Sequence, residues 1–177
     1  MNTQVRALLG VLAGLLLACT SPLLSACETL PALLGERLSL MDEVAAYKWL
    51  RGEAIEDKER EAAVIEAASA AALARGLAPA GSRRLFIAQM EAAKDIQRYW
   101  ISRWEQGESA PRGVPDLALI RTQLNRLGDA IVDSAGQRCQ WGLAELEAAL
   151  SVEGLPAARR DEIVAAVAAL QPAVARW

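Results

Sequence analysis

Apolar residues recur at three- and four-residue spacing along almost the whole sequence, and Val, Ile, Thr and the aromatic residues do not alternate with period two. Alanine and leucine, both strong helix formers, are abundant. The pattern predicts an all-α fold. A first helix is expected from about Glu28 to Leu50, with Leu30, Leu34, Met41 and Val44 in its stripe and Arg51-Gly52 as its stop. A second begins near Glu56, where an acidic first turn suits the helix dipole, and ends at Arg75-Gly76. A third starts after Pro79 or Ser82 and carries Phe86, Met90, Ala93, Trp100 and Trp104 on one side. The segment "EQGESAPRGVPD", residues 105–116, holds two prolines and two glycines and is the one clear linker. Beyond it, helices are expected over about 117–134, 140–150 and 157–176. The reading is a single helical domain over 28–177, with core helices over 28–104 and a second half over 117–177. No internal repeat is evident, which argues against a solenoid.

The first 26 residues read as an address. "MNTQVRALLGVLAGLLLACTSPLLSAC" has one cation, Arg6, then an unbroken apolar run from Ala7 to Ala18 and small residues before a cleavable position, the pattern of an export signal. The run of 12 residues is too short to span a bilayer as a helix. Three processing routes stay open: a lipoprotein box ending at Cys27, a poorer one ending at Cys19, and ordinary cleavage after Ala26. The expected location is periplasmic or secreted, with membrane attachment only through a lipid on Cys27. Cys139 pairs with Cys27 in an oxidising compartment, or stays free if Cys27 is acylated or removed.

Composition narrows the chemistry. The chain has 177 residues and a formal net charge of −3, with no basic block to meet nucleic acid. It has no histidine, so the commonest general base, the commonest metal ligand and every Ser-His or Cys-His pair are missing. Whatever chemistry occurs here does not use imidazole.

Against that background the polar residues in the apolar stripes stand out. Arg37 and Lys48 are 11 residues apart, three helical turns, and share the face of Met41 and Val44. Asp57, Arg60, Glu61 and Val64 fall at i, i+3, i+4 and i+7 on one face of the second helix. Gln97 follows Met90 and Ala93 by seven and four residues on the third. Each residue has a plain alternative: Lys48 snorkels to the rim, the Asp57 cluster caps a helix and makes surface ion pairs, Gln97 satisfies a backbone carbonyl. Three helices bringing ionisable or amide groups to a common interior is what a polar site needs, because buried charge is costly without a partner.

Arg37, Lys48 in "AYKW", Asp57, Arg60 and Glu61 in "IEDKERE", and Gln97 in "AAKDIQRYW" together resemble the all-helical chorismate mutases over residues 36–104. The export signal and the extra half make the chain similar to their secreted subclass. The resemblance implies a helical domain with its active site inside one chain, rearranging chorismate to prephenate. Arg37, Lys48, Asp57, Arg60, Glu61, Gln97 and Arg126 would then bind substrate, and Lys48, Gln97 and Arg60 would be catalytic. By the resemblance, arginines hold the substrate carboxylates, Lys48 and Gln97 meet the ether oxygen, Glu61 accepts from the ring hydroxyl, and Asp57 orders the start of its helix. Secreted members supply one arginine from their own second half. Arg126 in "LNRL" is the candidate for it, although it lies beside the stripe of Leu124, Leu127 and Ile131; Arg121 and Arg138 come next. Such a rearrangement needs no nucleophile, metal or obligatory proton transfer, so the resemblance implies no metal and no cofactor. Ala93 stands where several members carry serine or threonine, and Val64 at a position polar in some.

Two other readings stay open on the sequence: an exported helical lipoprotein that binds a partner, and a small-anion binder without turnover. Monomer and homodimer are equally compatible with it.

Overall fold

The computed structural model describes residues 29–137 and 141–170. The export signal, Cys19, Cys27, Arg138, Cys139 and Arg176 lie outside the described residues. Among the described residues seven helices follow in order: α1 Leu30–Ser39, α2 Met41–Arg51, α3 Lys58–Ala74, α4 Pro79–Glu105, α5 Leu117–Gly136, α6 Leu143–Ala149 and α7 Ala157–Ala168.

The expected first helix is therefore two, interrupted at Leu40. Leu40 keeps near-helical dihedrals (φ −76°, ψ −4°), so the interruption is slight and α2 continues the course of α1. Both intended stops are glycines in the left-handed region, Gly52 at φ 64° and Gly76 at φ 71°, where a side chain would be strained. α3 starts two residues later than expected, because Asp57 caps it: the Asp57 carboxylate accepts from the Arg60 amide at 3.1 Å, and the chain is helical only beyond that residue. α4 opens with Pro79, whose missing N–H costs nothing at a helix start. α5 runs two residues further than expected, and α6 and α7 are shorter.

With 27 residues, α4 is about 40 Å long and serves as the spine. It packs against α2, α3 and α7, while α1 packs against α5 and α6. α7 returns antiparallel along α4, pinned by Arg159 donating to Asp95 at 2.7 Å and by the Tyr99 hydroxyl donating to Glu153 in the preceding loop at 2.9 Å. Leu34 and Leu38 of α1, Leu85 and Ile96 of α4, Leu127 and Ile131 of α5 and Ile163 of α7 form one continuous core. The two halves thus share their interior. α4 is too long for one face to meet one partner: Phe86 and Met90 border the central cavity, while Trp104 joins Ala45 and Ala46 in a separate cluster that Ala110 and Val114 of the linker cover.

Candidate active site

A cavity of about 360 Å³ lies between α2, α3, α4 and α5. Met41, Val44, Val64, Phe86, Met90 and Leu124 give it apolar walls. Arg37, Lys48, Asp57, Arg60, Glu61 and Gln97, all singled out from the sequence, also line it. Three that were not assigned roles join them from α4 and α5: Lys94, Arg121 and Asp129. The lining thus holds five cations, Arg37, Lys48, Arg60, Lys94 and Arg121, against three carboxylates, Asp57, Glu61 and Asp129.

Arg37 is buried at 4% exposure. Its guanidinium lies 5.8 Å from the Phe86 ring centroid, but Nε and Nη1 have no hydrogen-bond partner among the described residues. Burial, with the like charge of Arg60 adding to it, pulls its pKa down to about 10. Lys48, also buried, donates from Nζ to the Ile55 carbonyl in the loop before α3. Burial lowers its pKa from the ordinary lysine value, with the Asp57 charge opposing that shift.

The first turn of α3 carries several site groups at once. Asp57 caps the helix with one oxygen and accepts from Arg121 Nη2 at 3.0 Å with the other. Glu61 reaches back toward the Asp57 amide at 3.4 Å and pairs with Lys94 Nζ at 3.2 Å. Lys94 also pairs with Glu91 at 2.7 Å. Its burial disfavours charge, yet the hydrogen bonds to Glu91 and Glu61 outweigh that and leave its pKa raised. Arg60 donates to the side-chain oxygen of Asn125 on α5. On α4, Gln97 Nε2 donates to the Ala93 carbonyl at 3.0 Å and approaches the Met41 sulfur at 3.8 Å. Its Oε1 is buried without a partner among the described residues. The carbonyl bond that the plain reading of Gln97 anticipated is present, but the side chain still faces the cavity.

Known proteins match both the sequence and the fold. A family model described as chorismate mutase type II matches residues 28–98. The chain is 36% identical to a secreted chorismate mutase of Yersinia pestis over 115 residues, 63% of this chain and 60% of that one. It is 31% identical to a secreted chorismate mutase of Mycolicibacterium smegmatis over 108 residues, 60% and 59% of the two chains. The chain thus spans about three-fifths of the length of these curated relatives. Among solved structures, the secreted chorismate mutase of Yersinia pestis superposes with a TM-score of 0.76 at 27% identity, covering 82% of this chain and 97% of that one. A chorismate mutase of Burkholderia thailandensis gives 0.65 at 26% identity, covering 82% and 98%.

The resemblance to secreted chorismate mutases placed the second-half arginine at Arg126, but among the residues that line the cavity the arginine of the second half is Arg121. Arg126 does not line the cavity; its side chain, 58% exposed, pairs with Glu36 at 3.2 Å on the outside of α1. One turn earlier, Arg121 falls four residues after Leu117 and three before Leu124, and all three line the cavity. The signal was in the sequence: 117, 121, 124 and 128 form a helical row along the edge of the Leu124, Leu127, Ile131 stripe. Lys94 was legible in the same way, four residues after Met90 and three before Gln97.

Proposed function

We propose that this chain rearranges chorismate to prephenate in the cavity between α2, α3, α4 and α5, without metal or cofactor. Arg37 carries the reading. A buried guanidinium with two unpartnered nitrogens, in a cavity where cations outnumber carboxylates by two, is a site short of two negative charges. Chorismate supplies two carboxylates, and an arginine fork matches a carboxylate with two parallel hydrogen bonds. Arg37, Arg60 and Arg121 take the carboxylates, while Glu61 accepts from the ring hydroxyl. Asp57 holds both the start of α3 and Arg121 in place.

The reaction is a [3,3] shift within one molecule. Its demands are a compact conformer with the reacting ends in contact, and stabilisation of negative charge growing on the ether oxygen as the C–O bond breaks. Lys48 has three N–H groups and uses one on Ile55, which leaves donors for that oxygen. Gln97 keeps one N–H on Ala93 and turns the other from the Met41 sulfur, a weak acceptor, to the ether oxygen. The relatives named secreted, together with the signal pattern at residues 1–26, support export as the setting. Loss of chorismate absorbance with prephenate identified as the product tests the whole reading. A folded protein that binds chorismate and leaves it unchanged would instead be the small-anion binder.

Two substitutions in α5 separate the arginines. Arg121→Ala should weaken chorismate binding about tenfold or more, since it removes a cavity cation and frees Asp57 to compete for the others. Arg126→Ala, which breaks only an exposed pair, should stay within about twofold of the parent. Steady-state KM values for the two variants decide this, and a reversed order returns the role to Arg126.

Gln97 sets the pH behaviour. Its neutral amide donates at any pH, so kcat/KM should be nearly flat between about pH 5 and pH 8. Gln97→Glu places there a group that donates only when protonated, with an unperturbed pKa near about 4.3 that burial raises. That variant should lose activity as pH rises, and Gln97→Ala should be slow throughout. A Gln97→Glu enzyme as fast as the parent at neutral pH would take this side chain away from the reacting oxygen.

A further inference from the structure

We infer that Lys94 is a positioning residue for the reaction: it ties Glu61 to α4 and so keeps that carboxylate away from the cations that receive the substrate. The inference rests on the proposed reading of the cavity as a chorismate site.

Glu61 stands one residue beyond Arg60 on α3, in a cavity that also holds Arg37, Lys48 and Arg121. A carboxylate free to turn there would pair with one of these cations and reduce the charge available to the substrate, because opposite charges in a partly dehydrated space attract strongly. Two contacts keep Glu61 from turning. One oxygen faces the Asp57 amide at 3.4 Å, a long and weak bond, and the other meets Lys94 Nζ at 3.2 Å. The ammonium is the stronger of the two. It is well placed to hold, since Lys94 is 8% exposed and its stem is packed on the α4 face shared with Met90 and Gln97. Glu91, three residues earlier on α4, takes a second Lys94 hydrogen at 2.7 Å from the solvent side and fixes the ammonium in turn.

The bridge therefore runs from outside the cavity to its interior, Glu91 to Lys94 to Glu61, and joins α4 to the first turn of α3. Because a carboxylate oxygen has two lone pairs, the held Glu61 can still accept the ring hydroxyl. Charge accounting points the same way. Removing Lys94 leaves four cations against three carboxylates in the lining, an excess of one where a dianion calls for two.

The test compares Lys94→Met, Lys94→Arg, Glu61→Gln, Glu91→Gln and the Lys94→Met/Glu61→Gln pair in the full-length protein, with chorismate as substrate and thermal unfolding measured alongside. Lys94→Met should raise KM about tenfold with kcat changed by less than threefold, because it acts on ground-state and transition-state binding alike. Lys94→Arg should restore most of the loss. Glu91→Gln keeps a side-chain oxygen that can accept from Lys94, so it should cost less than Lys94→Met. The decisive comparison is the pair: with no carboxylate at position 61, Lys94→Met should add less than about twofold to the effect of Glu61→Gln. A Lys94→Met enzyme that matches its parent, or one whose loss is as large on the Glu61→Gln background, overturns the inference while chorismate turnover by the parent stands. Absence of turnover in the parent overturns the reading of the cavity, and the inference with it.

Discussion

Replacing Lys48 with methionine should lower kcat/KM by on the order of 100-fold or more while the helices stay folded. The expectation follows from where the ammonium sits. Lys48 is 7% exposed, aligned with Met41 and Val44 on a face that is otherwise apolar. Methionine preserves much of the stem and removes a charge whose burial is unfavourable, so the fold loses little beyond the bond to Ile55. What disappears is a cation aimed at charge that exists mainly in the transition state. The loss should therefore fall on kcat more than on KM. Far-ultraviolet circular dichroism with steady-state kinetics reads both halves of the claim; activity within a few-fold of the parent would assign the ether oxygen to another donor.

Arg37→Met should do two opposite things. Activity should fall by about two to three orders of magnitude, because an arginine–carboxylate contact in a desolvated site is lost. Stability of the free protein should rise. Burial pulls the Arg37 pKa down to about 10, which corresponds to a cost on the order of 3 kcal/mol for holding its positive charge in the fold. Methionine removes that cost and keeps apolar contact with Phe86. For a chain of this size the gain corresponds to a Tm increase of roughly 5–10 °C. Chorismate, as the missing counter-ion, should raise the Tm of the parent and leave that of the variant unmoved. A variant that melts below its parent would show that Arg37 is already compensated in the free protein.

Much of this was legible in the sequence, and the reasons differ from element to element. Gly52 and Gly76 marked helix stops because a left-handed residue is needed there, and the sequence offers the one residue that adopts it freely. Arg37 and Lys48 could be placed on one face because 11 residues make three turns, and the break at Leu40 is too slight to rotate α2 out of register with α1. That break itself carries no signal, since neither glycine nor proline occupies position 40. Arg126 was drawn from a resemblance that says which half supplies the arginine without fixing the turn. The row that holds Arg121 is easily passed over, because the strongest apolar row of α5, through Leu127 and Ile131, faces the core rather than the cavity, and the row through Arg121 ends on a glycine. Lys94 was overlooked for a related reason: alanines on either side of α4 blur the edge of its stripe, so a lysine between Ala93 and Asp95 reads as surface.

The position of α5 has one more consequence. Leu117, Arg121, Leu124, Asn125 and Gly128 close one wall of the cavity, and they come from the same chain as the α1 to α4 residues opposite them. A catalyst whose wall is lent by a second copy is exposed to mass action: dilute it far enough and the wall departs. Here the missing side travels with the molecule on a covalent tether through residues 105–116, and its local concentration does not depend on how many copies are nearby. On the proposed function, turnover per molecule should then stay constant from crowded to nearly empty surroundings.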